Sequence, residues 1–152
     1  MMNRIPTIDG TLKFSKIDQV GVVVKDLDAA MKYYTSFFGM GPFRVIESAF
    51  TDMTLYGKPA DFKIRMAFAE MGVVSLELIQ VVKGPTIYED FLASRGEGLH
   101  HLGCYIDNMD DALQKCRQAG INILQSGSAG KVKFAYLDTE NIGGVILELI
   151  QR

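Results

Sequence analysis

The chain has 152 residues, is 48% hydrophobic and carries a formal net charge of −2 with acidic and basic residues interspersed. That is enough for one domain, or two fused half-domains, around a real core. It argues against a nucleic-acid or membrane-surface partner, and no apolar run could span a bilayer or resembles a signal peptide, so the cytoplasm is the expected compartment. Cys104 and Cys116 match neither a disulfide framework nor a zinc motif and read as reduced core residues.

Residues 1–14 read as an irregular arm, broken by Pro6, Asp9 and Gly10 and anchored by Leu12 and Phe14. It serves either as a surface tail or as a reach toward a partner subunit. Residues 17–24 form a β-branched strand with Gln19, Gly21 and Val23 on one face. A helix follows, capped by Asp26 or Asp28, with Leu27, Ala30, Met31, Tyr34 and Phe38 on its apolar stripe and Gly39 as its stop. Residues 43–50 read as a strand, residues around Tyr56-Gly57-Lys58-Pro59 as a polar loop, and residues 62–68 as a strand ending near a Met71-Gly72 turn. Leu76-Glu77-Leu78-Ile79-Gln80 closes this half. A linker helix begins after Pro85, with Thr86 and Glu89 as a capping box.

The second half opens on His100-His101-Leu102-Gly103. Its helix carries Met109, Ala112, Leu113 and Cys116 on the apolar side and stops at Gly120. Residues 121–124 and 132–137 read as strands joined by a flexible, lid-like Ser126-Gly127-Ser128-Ala129-Gly130. Lys131 and Lys133 beside it are candidate contacts to a substrate anion. A turn at residues 141–144 leads to Leu147-Glu148-Leu149-Ile150-Gln151, the same five residues again. The segment around Lys131 is not a P-loop, because Gln125 and Val132 stand where glycine and a hydroxyl residue are required.

The chain is therefore a duplication. A shift of 82 residues carries Gln19 onto His101, and a shift of 71 carries Glu77 onto Glu148, so the second half is 11 residues shorter between those points. Each half reads β-α-β-β-β. The expected organisation is an arm at 1–14, a first module at 15–82, a linker helix at 83–98 and a second module at 99–152, the halves pairing around a cleft. The first and last strands of each half then supply Gln19, Glu77, His101 and Glu148 to one place. Two carboxylates in largely apolar strands need a shared partner, and one imidazole, two carboxylates and an amide suit zinc, nickel, cobalt or manganese. His100, as the strand neighbour of His101, is expected to face the other way.

Ile17-Asp18-Gln19-Val20-Gly21, Leu99-His100-His101-Leu102 and Gly144-Val145-Ile146-Leu147-Glu148-Leu149 resemble the vicinal oxygen chelate superfamily, home of the glyoxalase I and methylmalonyl-CoA epimerase families. The resemblance spans residues 16–151. It implies an α+β fold of two βαβββ modules forming an open eight-stranded mixed barrel around a divalent metal, with Gln19, Glu77, His101 and Glu148 on the four ligand positions, and a homodimer. It also implies an isomerase, epimerase or lyase acting on a small carbonyl compound or acyl-CoA, in which the metal stabilises an enolate and Glu148, or else Glu77, takes the proton. Glyoxalase I enzymes hold glutathione through basic residues where Val23 and Glu97 stand here. Epimerases place a second glutamate where Met66 stands, with Glu47 and Glu70 as candidate substitutes. The linker helix and the Gly98-Leu99-His100-His101 entry favour the epimerase-like branch. The alternatives are a non-catalytic, resistance-type small-molecule binder and an extradiol-type dioxygenase, the last needing two histidines and one carboxylate.

Overall fold

A computed structural model of the chain describes residues 12–47, 49–141 and 143–152. Most of the N-terminal arm lies outside these residues. Leu12 packs under the third helix, and Phe14 is exposed. The described chain runs β1 (Gln19–Val23), α1 (Leu27–Phe38), β2 (Arg44–Ile46), β3 (Thr51–Leu55), β4 (Lys58–Pro59), β5 (Lys63–Met71), β6 (Val74–Lys83), α2 (Ile87–Arg95), β7 (Gly98–Tyr105), α3 (Met109–Gln118), β8 (Ile123–Ala129), β9 (Val132–Leu137) and β10 (Ile146–Gln151). Among the described residues no helix is long and apolar enough to cross a membrane.

The strands form one curled mixed sheet in the order β2-β5-β6-β1-β7-β10-β9-β8-β3-β4. Its centre is an antiparallel β1–β7 pair that places Gln19 opposite Gly103 and Gly21 opposite His101. On either side the arrangement repeats. β1 runs parallel to β6 with Gly21 beside Glu77, and β7 runs parallel to β10 with Gly103 beside Glu148. The two β-α-β-β-β halves are thus related by a pseudo-twofold axis between β1 and β7.

Local chemistry builds the helices, with Asp26 rather than Asp28 as the first cap, but of the stripe expected on α1 Leu27 is buried while Phe38 is exposed. Asp26 accepts a hydrogen bond from Ala29 N at 2.9 Å, Thr86 from Glu89 N at 3.1 Å and Asn108 from Asp111 N at 2.9 Å. Gly39 takes φ 65°, the left-handed stop that a side chain would oppose. The duplicated glutamines explain part of the repeated phrase. Gln80 Oε1 accepts from Leu27 N at 2.8 Å and Gln151 Oε1 from Met109 N at 2.6 Å, tying the first turn of each crossover helix to the last strand of its own half.

Three apolar cores result. Val24, Leu27, Ala67 and Leu78 lie between α1 and the outer face of the sheet. Met109, Ala112, Cys116, Ala135 and Leu149 do the same under α3. Val23, Ile64, Met66, Ile79, Ile87, Tyr88, Phe134 and Tyr136 fill the concave side beneath α2. Strands β6 and β10 are covered on both faces, which is why both of their alternating sets are apolar around the glutamates.

Four features differ from the sequence reading. The sheet has ten strands among the described residues, not eight. The extra pair is the β3–β4 hairpin, where Tyr56 (φ 50°) and Gly57 (φ 78°) make a two-residue turn that needs positive φ at both positions. This insertion accounts for the longer first half, and it pairs with β8 of the second half. The strand expected over residues 43–50 is regular only at Arg44–Ile46. The expected lid is part of strand β8: Ser126 and Gly127 pair with Ala135 and Phe134, and Ser126 Oγ lies 2.7 Å from Thr54 Oγ1. Small residues there make room rather than motion, since a β-carbon on Gly127 would come within 2.9 Å of the Phe134 ring. Finally, His100 does not face away from His101. The β1–β7 ladder slips between Gly21 and Val22, which face His101 and Leu99, so His100 falls in a bulge. The bulge turns its ring in, leaving Nδ1 3.0 Å from Nδ1 of His101.

Candidate metal centre and cavity

The register brings the four residues together in two rows across the sheet. Glu77 and His101 flank Gly21, and Gln19 and Glu148 flank Gly103. Each glycine leaves the space that its neighbours occupy. A β-carbon on Gly21 would collide with the His101 ring, and one on Gly103 would sit 3.0 Å from Gln19 Cβ and 3.2 Å from Glu148 Oε2. The side chains therefore converge above the glycines. His101 Nε2 lies 3.2 Å from Glu77 Oε2 and 3.1 Å from Glu148 Oε2. Gln19 Nε2 donates a hydrogen bond to Glu77 Oε2. All four residues are buried, His101 completely.

The electrostatics of the cluster are under-compensated. Burial raises the Glu77 pKa, against the pull of His101. Burial alone would lower that of His101, but the charges of Glu148 and Glu77 outweigh it and lift it to about 9. Burial drives His100 down to about 3, with the His101 charge adding to it. His100 is therefore neutral at physiological pH, and its Nδ1 can accept a hydrogen bond from His101 Nδ1–H. Nε2 is then the His101 nitrogen turned to the carboxylates, protonated in the metal-free fold and able to offer its lone pair to an ion once that proton leaves. Nε2 of His101 and Oε2 of Glu148 make no well-directed hydrogen bond despite their burial. One ligand atom from each of Glu77, His101 and Glu148 lies within 4.8 Å of the others. A dication among them would satisfy the orphaned atoms and neutralise two buried carboxylates, so the donor set fits a borderline or hard divalent ion.

Gln19 stands beside this trio with its NH₂ toward Glu77. Its Oε1 becomes a fourth donor if the amide turns over, the two ends being nearly isosteric.

Gln19, Glu77 and Glu148 line a cavity of about 630 Å³. Its walls are apolar, with Ile64, Met66, Phe68 and Phe134 among them. Tyr88 and Tyr136 also reach it, and Arg44, Glu70, Tyr105 and Arg152 are among the other lining residues. Arg152 donates to the Tyr105 hydroxyl and lies 4.0 Å above its ring, while Arg44 stacks 5.7 Å over Phe68. Burial pushes the Tyr88 and Tyr136 hydroxyls well above the usual phenol range, with the Glu148 charge adding to it, so both stay protonated.

The remaining candidate residues fall elsewhere. Lys131 and Lys133 alternate with Val132 and Phe134, which line the cavity, and they themselves are not among its lining residues. Glu47 pairs with Arg65 at 3.2 Å on the surface. Met66 is on the cavity wall, and Glu70 is the lining carboxylate outside the cluster. Sequence reasoning missed the glycines that make room, the tyrosine pair and the two arginines. Of these only the glycines carried a signal, since Gly21 and Gly103 are related by the same 82-residue shift as Gln19 and His101.

A family model described as the Glyoxalase/Bleomycin resistance protein/Dioxygenase superfamily matches residues 18–136. The uncharacterized protein YqjC of Bacillus subtilis is 25% identical over 141 residues, covering 90% of this chain and 92% of that protein. The mitochondrial methylmalonyl-CoA epimerase of Mus musculus is 24% identical, over 91% of this chain and 74% of its own length. The crystal structure of methylmalonyl-CoA epimerase from Mycobacterium tuberculosis matches with a TM-score of 0.68 at 22% identity, covering 95% of this chain and 92% of that one. A variant of the Streptomyces coelicolor methylmalonyl-CoA epimerase in complex with 2-nitronate-propionyl-CoA matches at 0.69 and 21% identity, over 91% and 98%. At these identities the solved structures establish the fold.

Proposed function

Since the chain belongs to the Glyoxalase/Bleomycin resistance protein/Dioxygenase superfamily, we propose that it is a divalent-metal-dependent enzyme that removes the proton next to the carbonyl of an acyl-CoA thioester. The observation that carries this reading is the convergence of Glu77, His101 and Glu148 on one point, where His101 Nε2 and Glu148 Oε2 are buried without a well-directed hydrogen bond, beside a cavity of about 630 Å³. Glu77, His101 and Glu148 would hold the ion, with Gln19 as the fourth donor. When bound, a divalent ion supplies the Lewis acid that makes negative charge on a substrate carbonyl oxygen tolerable.

The chain's own residues do the rest. Glu148 takes the proton, because it is the cluster carboxylate on the second-half side, free of the amide that engages Glu77. A positioned base contributes on the order of 10² to 10⁴ in rate. The apolar wall of Ile64, Met66 and Phe134 keeps water from the developing carbanion. Arg44 and Arg152 supply positive charge that fits an anionic carrier such as CoA. Met66 cannot accept a proton and Glu47 is engaged by Arg65. Glu70 is the further lining carboxylate that a second-base test would substitute. In this reading Glu148 both removes and returns the proton. That favours an isomerase or lyase outcome, or a single-base epimerisation, over a symmetric two-base exchange.

The methylmalonyl-CoA epimerases among the similar proteins support the acyl-CoA substrate. Two other readings fare worse. A resistance-type binder has no need of two buried carboxylates around one imidazole. A dioxygenase triad of two histidines and a carboxylate is not assembled, because His100 stands behind His101 and outside the cluster. We extend the proposal to a homodimer: Tyr33, Phe37 and Phe38 on α1 leave aromatic surface exposed that a second copy would cover, and sedimentation of the purified protein tests it.

The experiment has two arms. Metal analysis of protein purified without chelator is expected to find about one divalent ion per chain. Mass spectrometry is then expected to show deuterium entering the α-carbon of methylmalonyl-CoA or a related acyl-CoA in heavy water. Protein without affinity for any divalent ion refutes the metal centre. A Glu148→Gln variant that keeps its metal and full exchange refutes Glu148 as the base.

A further inference from the structure

Tyr136 faces Glu148 directly across β9 and β10, and its ring packs edge-on against His101 with centroids 5.0 Å apart. Tyr88, carried by α2, donates its hydroxyl hydrogen to Tyr136 Oη at 2.7 Å. Both rings are 2% exposed and both line the cavity. The bond spends the hydrogen of Tyr88 and one lone pair of Tyr136. Tyr136 keeps its own O–H, and among the described residues no hydrogen bond from it to a protein acceptor is made. A buried donor left so is costly unless a ligand takes it.

The pseudo-twofold axis shows that the arrangement is not a by-product of the duplication. The residue facing Glu77 across β5 and β6 is Phe68, a phenyl ring where the second half has a phenol. Tyr88 has no counterpart, because α2 lies in the linker between the halves. The hydroxyl pair is confined to the side of the cavity that carries the proposed base.

We propose that Tyr136 is a catalytic residue: it donates a hydrogen bond to the substrate oxygen that becomes negative as Glu148 takes the proton, and Tyr88 is the positioning residue that aims it. This rests on the proton-abstraction reading above. The substrate C–H bond breaks, its proton passes to the Glu148 carboxylate, and its electron pair forms a carbon–carbon double bond as the carbonyl π electrons move onto oxygen. Tyr136 shares its hydrogen without giving it up, and the proton returns from Glu148. No oxidant or second reactant enters. The substrate is thereby one whose carbonyl oxygen is directed at the second half of the sheet.

The test compares metal-loaded wild-type, Tyr136→Phe and Tyr88→Phe proteins by calorimetry. The probes are 2-nitronate-propionyl-CoA, an anion resembling the deprotonated substrate, and propionyl-CoA, which carries no such charge. Tyr136→Phe is expected to lose about ten- to hundred-fold in nitronate affinity, the range of one hydrogen bond to a charged group. Its propionyl-CoA affinity falls only severalfold, the smaller effect of a bond to a neutral carbonyl, its metal content holds, and Tyr88→Phe loses less. Unchanged nitronate affinity, or an equal loss for both probes, overturns the proposal. If the wild-type protein binds neither CoA compound, the acyl-CoA reading fails, and acetohydroxamate against acetamide decides the tyrosine by the same criterion. Failure of the loaded wild-type protein to bind either anion also overturns it. Should Tyr136→Phe not fold, 3-fluorotyrosine at position 136 reports directly. Its fluorine resonance is expected to shift when acetohydroxamate binds, and an unmoved resonance refutes the contact.

Discussion

Gly21→Ala tests the geometry of the cluster without removing any ligand. A β-carbon there would fall well under 3.0 Å from Cε1, Nε2 and Nδ1 of His101. Ordinary contact lies near 3.5 Å, so the ring must retreat by on the order of 1.5 Å. His101 is completely buried and packed by His100 and Tyr136, with ring centroids 5.2 and 5.0 Å away. It has little room to retreat, and metal ligand distances tolerate only about 0.2 Å. The variant is expected to lose about 1–3 kcal/mol of stability from overpacking and at least about a hundredfold in divalent-ion affinity, as if the ligand itself had been weakened. Titration of the chelator-stripped protein with zinc, manganese or cobalt measures the affinity, and thermal denaturation with and without metal measures the rest. Gly103→Ala is the milder comparison, because its β-carbon would meet Ile150 Cδ1 at 2.9 Å and Glu148 Oε2 at 3.2 Å, both ends of side chains. If Gly21→Ala binds metal within twofold of wild type, the convergence of these residues on an ion is refuted.

Three more outcomes are expected. His101 in the metal-free fold has its pKa raised from 6.5 to about 9. A raised pKa stabilises the fold below the unfolded value and loses that contribution as pH climbs through the folded one. Metal-stripped protein should thus lose up to about 3 kcal/mol between roughly pH 6.5 and 9. Urea denaturation across that range checks it, and metal-loaded protein should lack the decline. Gln80→Ala and Gln151→Ala each strand a backbone N–H at the start of a helix, costing about 1–2 kcal/mol, or some 2–6 °C in Tm, while metal affinity holds. A Met66→Glu variant places a further carboxylate on the wall of the cavity that Glu148 also lines. It should lower Tm through desolvation and speed stereochemical inversion of methylmalonyl-CoA relative to simple α-proton exchange, which chiral chromatography of the product reads out.

Local chemistry and the internal repeat made much of this protein legible from its residues alone. Helix starts at Asp26 and Thr86 depend on side chains reaching three residues along the chain, and the stop at Gly39 on a left-handed backbone that glycine adopts freely, so they can be read in one dimension. The duplication did the same for a long-range feature: because Gln19 maps onto His101 and Glu77 onto Glu148, four distant residues could be assigned to one centre. What could not be read depends on contacts between segments with no shared pattern. The β3–β4 hairpin pairs with β8, some seventy positions later, and that pairing turns the supposed lid around Ser126 into a strand. A single slip in the β1–β7 ladder brings His100 behind His101, where strict alternation would have sent it away. Likewise Tyr88 and Tyr136 meet only because α2 closes the concave face of the sheet. Propensity and repetition are properties of the chain, and they determined most of the elements and the positions of the four clustered residues. Register and closure are properties of the folded sheet, and they alone decided what surrounds those positions.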